Sequence, residues 1–154
     1  MAAGAFTLFA KNKDDYRIND IVGATIKLAL VSSAYTPNIT TAGHALWADV
    51  SANEIANGQG YTTGGVTLTG AAATAAAGSN GYFLAGAPPV WTASGTGIPA
   101  HRYYVMYLLG TVWGQVNPLI GYFLGDATPA DIPLTTAGNT ITVTQPATGW
   151  FDLI

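Results

Sequence analysis

The sequence predicts an all-β fold: a single-domain antiparallel β-sandwich or jelly-roll-like barrel, with one short helix near residues 51–57. Three observations carry this expectation. Hydrophobic residues recur with a period of two in several short segments, as they do in half-buried strands. Turn-forming residues separate those segments, and the chain holds 19 glycines and 8 prolines. No strand alternates with a long helical pattern, so parallel βαβ units are not expected. At 154 residues the chain suits one domain with one substantial core.

The elements follow in order. Residues 1–15 read as an extended N-terminal arm, and residues 16–154 as the sandwich domain. GATIKLALVSS places Ile26, Leu28 and Leu30 on one face and Lys27, Ala29 and Val31 on the other, which is a strand pattern. Tyr35-Thr-Pro-Asn38 reads as a turn. Ser51-Ala-Asn-Glu54 matches a capping box, with Asp49 before it and Asn57-Gly58 after it, so a helix of about one and a half turns is expected there.

ANGQGYTTGG, residues 56–65, is rich enough in glycine to suggest a nucleotide-binding loop. Such a loop needs a strand before it and a helix after it, because the helix N-terminus receives the phosphates. Here the expected helix precedes the glycines and VTLTG, a strand pattern, follows them. Gly58 therefore reads as a helix end, and Gly60, Gly64 and Gly65 as turn residues around Tyr61.

The Ala-rich piece Gly70–Gly78 is helix or strand by composition, and the strand is favoured because nine residues bounded by glycine make a marginal helix. Gly78-Ser-Asn-Gly81 reads as the turn after it. HRYYVMYLLG and PLIGYFLGD are apolar on both faces and rich in Tyr and Phe, as short doubly buried strands are. TITVTQ alternates strictly, with Ile141 and Val143 inward and Thr140, Thr142 and Thr144 outward. Gly138-Asn139 before it is a hairpin signal, and the final GWFDLI reads as a strand.

Charge is scarce. Only 8% of residues are charged, against about 25% in an ordinary soluble domain. Six of the thirteen charges fall in one run: Lys11, Lys13, Asp14, Asp15, Arg17 and Asp20. From Ile55 to Gly125 the sole charged side chain is Arg102. Such a surface suits a subunit covered by other protein, or else a small Thr-rich extracellular domain. Five scattered basic residues against eight acidic ones give no footprint for nucleic acid. The longest apolar run, Tyr103–Leu109, is too short to span a membrane, and at the N-terminus the charges follow the apolar stretch, the reverse of a signal peptide.

Catalytic and metal chemistry find little purchase. The chain has no cysteine, hence no disulfide and no thiolate ligand. His44 and His101 belong to no metal-binding spacing and read as polar caps or surface residues. No Ser lies in a nucleophile elbow. Asp126 and Asp131 bracket a proline-containing turn and read as turn caps. No cofactor and no enzymatic activity are expected. Trp47, Trp91, Trp113 and Trp150, with eight Tyr, read as core or interface residues, or as a sugar-binding surface. Arg102, beside Tyr103 and Tyr104, reads as a charge paired across an interface or stacked on a ring.

The succession IKLALVSSAYTPN, WADVSANEIANGQGYTTGGVTL, VWTASG, HRYYVMY and NPLIGYFLGD resembles a family of small virion structural proteins of tailed bacteriophages, over roughly residues 24–154. DVSANEI followed by GYTTGG is its most specific part. The stretch LLGTVWGQV stands where that family has a more polar loop. The resemblance implies a non-enzymatic capsid decoration, or cement, protein at the surface of the virion. Its partners would be the major capsid protein and copies of itself, a trimer being the analogy with a local threefold axis of the shell. Phe6, Leu8 and Phe9 of the arm, with Arg102, are then the candidate interface residues. A tail-tip or fibre module that binds a receptor or carbohydrate is the alternative.

Overall fold

The computed structural model describes residues 3–74, 82–84, 87–146 and 149–151. It is mostly β, in antiparallel sheets, as expected. The strands are β1 (Thr7–Leu8), β2 (Thr25–Val31), β3 (Val66–Thr67), β4 (Ala72–Thr74), β5 (Tyr82–Leu84), β6 (Val90–Thr92), β7 (Tyr103–Leu109), β8 (Thr111–Val112), β9 (Gln115–Val116), β10 (Leu119–Leu124) and β11 (Thr140–Thr142). A five-stranded sheet runs β1-β10-β7-β2-β3, and three two-stranded sheets pair β6 with β11, β4 with β5 and β8 with β9. Among the described residues the sheets do not close into a barrel.

The β2–β7 pair is the centre. All seven residues of β2 pair with β7, from Thr25↔Leu109 to Val31↔Tyr103. Strand alternation sends Ile26, Leu28, Leu30, Tyr104, Met106 and Leu108 to one face, and Ala29, Val31, Val105 and Tyr107 to the other. Both faces are buried, so the expectation of doubly buried strands holds. On the first face lie Trp91 of β6, Ile141 of β11, Val143, Ile21 and Trp150. The second face is covered by Phe9, Tyr35, Trp47 and Val50, with Trp47 stacked on Tyr107 at 4.5 Å and 9°.

Five local expectations are corrected. Residues 51–57 form no α-helix: single 3-10 turns span Trp47–Asp49 and Ser51–Asn53. Strand pairing wins there, because the Ser32 N–H donates to Asn53 O at 2.9 Å and the Ile55 N–H to Leu30 O at 3.1 Å. Among the described residues the α-helix is α1 (Ile18–Gly23), for which no capping residue gave a signal. It buries Ile21, with Ile18 and Val22 packed beside it, an i, i+3, i+4 stripe only one turn long.

The N-terminal segment is not a free arm. Thr7–Leu8 pairs with Tyr122 and Gly121 of β10, and a 3-10 stretch follows over Ala10–Asp15. Phe9 is fully buried, and Asn12 donates from Nδ2 to Ala45 O at 2.7 Å and Leu119 O at 3.0 Å. The Tyr16 hydroxyl donates to Ile120 O at 2.7 Å.

Gly138-Asn139 makes no hairpin between neighbouring strands: Gly138 and Asn139 bond Ala93, and β11 pairs with the distant β6. The turn falls at Ser33-Ala34 instead of Tyr35–Asn38, with the Tyr35 N–H donating to Ser32 O at 3.3 Å. The Ala-rich piece is a strand over Ala72–Thr74, as favoured, while the turn Gly78–Gly81 lies outside the described residues. Trp150 and Phe151 are in no strand, and the rest of GWFDLI lies outside the described residues.

Removing a fully buried Phe side chain costs about 3–5 kcal/mol, so Phe9→Ala should lower the chemical-denaturation midpoint sharply. Val116→Ser, at a residue 62% exposed, should change stability by less than about 0.5 kcal/mol. Deletion of residues 1–12 should unfold the chain, since it strips β1, Phe9 and Asn12 from the sheet.

Candidate functional site

The glycine-rich stretch turns the chain and holds no cradle for phosphate. Gln59 and Gly60 have φ of 58° and 94°, the left-handed pair of a tight two-residue turn. Gly58 and Tyr61 close it with two hydrogen bonds, of 2.8 and 2.9 Å. A Cβ at Gly60 would collide with Thr92 O, so only glycine fits. The turn places the Tyr61 phenol against the open edge of β2. Its oxygen accepts the Leu30 N–H at 3.1 Å, and its proton goes to Glu54 Oε1 at 2.6 Å. Glu54 also accepts the Gly64 N–H, at 2.6 Å. Tyr61 thus replaces a strand along that edge, and Glu54 serves it instead of capping a helix.

His101 is fully buried, not at the surface. Its Nδ1 lies 3.1 Å from Pro99 O and its Nε2 3.0 Å from the Tyr104 hydroxyl. A carbonyl only accepts, so Nδ1 carries the proton and Nε2 accepts from Tyr104. Burial holds the imidazole pKa below its ordinary 6.5, outweighing the opposing pull of Pro99 O and Asp131. Burial likewise pushes the Tyr104 phenol up to about 12. His44 sits on Tyr35, with Nδ1 2.8 Å from its hydroxyl.

Arg102 pairs within its own chain: Nε lies 2.7 Å from Asp131 Oδ1, and Ser33 Oγ donates to Asp131 Oδ2 at 3.1 Å. The Arg102 hydrogen bond holds the Asp131 carboxyl below the usual range. Asp131 is therefore an ion-pair partner rather than a turn cap. Asp126 does cap its turn, accepting from Thr128 N at 3.0 Å and Thr128 Oγ1 at 2.8 Å.

The four predicted interface residues do not converge. Phe6 and Leu8 project to the first face of the sheet, Phe9 to the second, and Arg102 lies in its ion pair. Phe6 joins an aromatic row: it stacks on Phe151 at 5.5 Å and lies 6.1 Å from Trp150, which stacks on Phe123 at 5.6 Å. Phe123 stacks in turn on Tyr104 at 4.8 Å and 8°. Over this row opens a cleft of about 430 Å³, lined also by residues 3–5, Thr142–Thr144, Gly125 and Pro146. Among the described residues none that lines it is charged. Tyr104, Phe123, Thr142 and Trp150 were missed as site residues, because each reads in its own segment as an ordinary strand or core position.

Trp47, Trp91 and Trp150 are buried. Trp113 is partly exposed, has φ of 53° and donates from Nε1 to Asp20 Oδ2 at 3.0 Å. Among the described residues no group of three His, Asp or Glu is placed to hold a metal ion. Among them, too, no helix is long and apolar enough to cross a membrane. Comparison with protein families, curated proteins and solved structures finds no match to this chain.

Two predictions follow from this geometry. Tyr61→Phe keeps the ring but leaves the buried Leu30 N–H without an acceptor, which should cost about 1–3 kcal/mol in denaturant unfolding. For His101 the folded pKa lies below the unfolded one, so the unfolded chain takes up the proton first as pH falls. The stability present above pH 6.5 should therefore decline as pH drops from 6.5 toward the lowered folded value. His101→Gln should remove this part of the difference between unfolding free energies at pH 7.5 and pH 5.5, and an undiminished difference would contradict it.

Proposed function

We propose that this chain is a non-enzymatic virion structural protein of a tailed bacteriophage, most specifically a sandwich-like capsid decoration, or cement, subunit. The family resemblance over residues 24–154 supports the class. The observation that carries the reading is the neutrality of the surface. Between Ile55 and Gly125 the sole charged side chain is Arg102, and its guanidinium is already paired with Asp131. Ile39, Val90, Leu109, Val116 and Leu134 are large apolar side chains left 41–62% exposed.

Desolvating such a surface against another protein strips water from few charges, and charge depletion marks the cores of protein interfaces. Major capsid protein and further copies of the chain, as a homo-oligomer, are the partners. Repetition over the shell adds avidity to individually weak contacts. A second reading, a tail-tip or fibre module for receptor or carbohydrate, is favoured by Trp113, whose partly exposed ring sits on a strained backbone beside Asn19 and Asp20.

The test is the copy number of the chain in purified virions, by quantitative mass spectrometry against the major capsid protein. Decoration predicts numbers comparable to the capsid protein. A handful of copies would move the chain to the tail, and absence would overturn both readings.

A further inference from the structure

The layer that covers the first face of the main sheet ends early. β6 and β11 lie over it, with Trp91 6.2 Å from Tyr104, and the next strand position, above Phe123 and Phe6, is the cleft. Among the described residues no strand pairs with the edge of β11 beside that position. Val143 N–H donates to Pro89 O, and Ile141 pairs with Trp91, so the odd-numbered residues point their backbone groups at β6. The N–H and C=O of Thr142 therefore point the other way, and Thr144 continues the alternation. Neither backbone has a hydrogen-bond partner among the described residues on that side, and both residues are exposed.

We infer that this cleft is a slot for an extended, uncharged peptide segment of a partner protein, which adds to β11 as a third strand. The backbone groups of Thr142 and Thr144 select another backbone in extended form, because a row of alternating donors and acceptors is what strand addition satisfies. The uncharged lining selects an uncharged occupant, since a charge there would lose water and meet no counter-charge among the described lining residues. The aromatic floor of Phe6, Phe123 and Trp150 selects apolar side chains at alternate positions. The slot stands independently of the decoration reading: any protein that offers such a segment would fit.

The experiment selects a display library of random ten-residue peptides on the purified full chain, then titrates the enriched peptides by calorimetry. Enriched peptides should be free of charge, with apolar residues at every second position. Thr142→Pro removes the outward N–H without touching the β6 ladder, and should weaken binding at least 10-fold, while Thr142→Ala stays within about 2-fold. Amide exchange at Thr142 should slow at least 10-fold in the complex. Ala5→Trp, which fills the cleft from the opposite wall, should also abolish binding, and it decides the matter if Thr142→Pro does not fold. Failure to enrich any peptide class would overturn the inference, as would peptides that bind both variants like the parent chain. Enrichment of stretches of this chain itself would overturn the assignment to a partner protein.

Discussion

The structure depends on one pairing, β2 against β7, seven residues long and apolar on both faces. An ordinary antiparallel sheet with one wet face needs a cover on one side only. This pair needs two, and the short chain supplies both. Trp91, Ile141, Val143 and Ile21 cover one side, and Phe9, Tyr35, Trp47 and Val50 the other. The edges are also taken up. β10 flanks β7, while β3, Ile55 and the Tyr61 phenol together complete the outer side of β2.

That demand explains where the sequence was legible. IKLALV and YYVMYLL announce a strand and a doubly buried one, because alternation and apolarity are local properties. Ile141 and Val143 point inward as their spacing requires. The N-terminal segment reads as an arm because Lys11, Lys13, Asp14 and Asp15 dominate it, yet Phe9 and Asn12 are held by contacts from residues more than 30 positions away. Glu54 illustrates the same limit. Its spacing from Ser51 satisfies a capping rule, but a phenol and an amide from the glycine turn satisfy the carboxylate better.

The cleft was not legible at all. Its walls come from the first residues of the chain and from residues beyond 140, and its floor from β7 and β10. Each contributor follows its own segment's pattern, so nothing local marks it. Arg102 was visible as an isolated charge, but its partner Asp131, 29 residues on, was not. Pairing inside the chain means that Arg102 is no isolated charge in the fold.

One chain buries both faces of the central pair, so the fold needs no second copy to cover its core. Amide hydrogen exchange of the isolated chain over a wide range of protein concentration tests this most directly. The amides of Ala29, Val31, Val105 and Tyr107, with Phe9, should show one high protection that does not change on dilution. Protection of the β2–β7 amides that falls away on dilution would contradict the account, because it would mean that a second copy, and not this chain, covers the sheet.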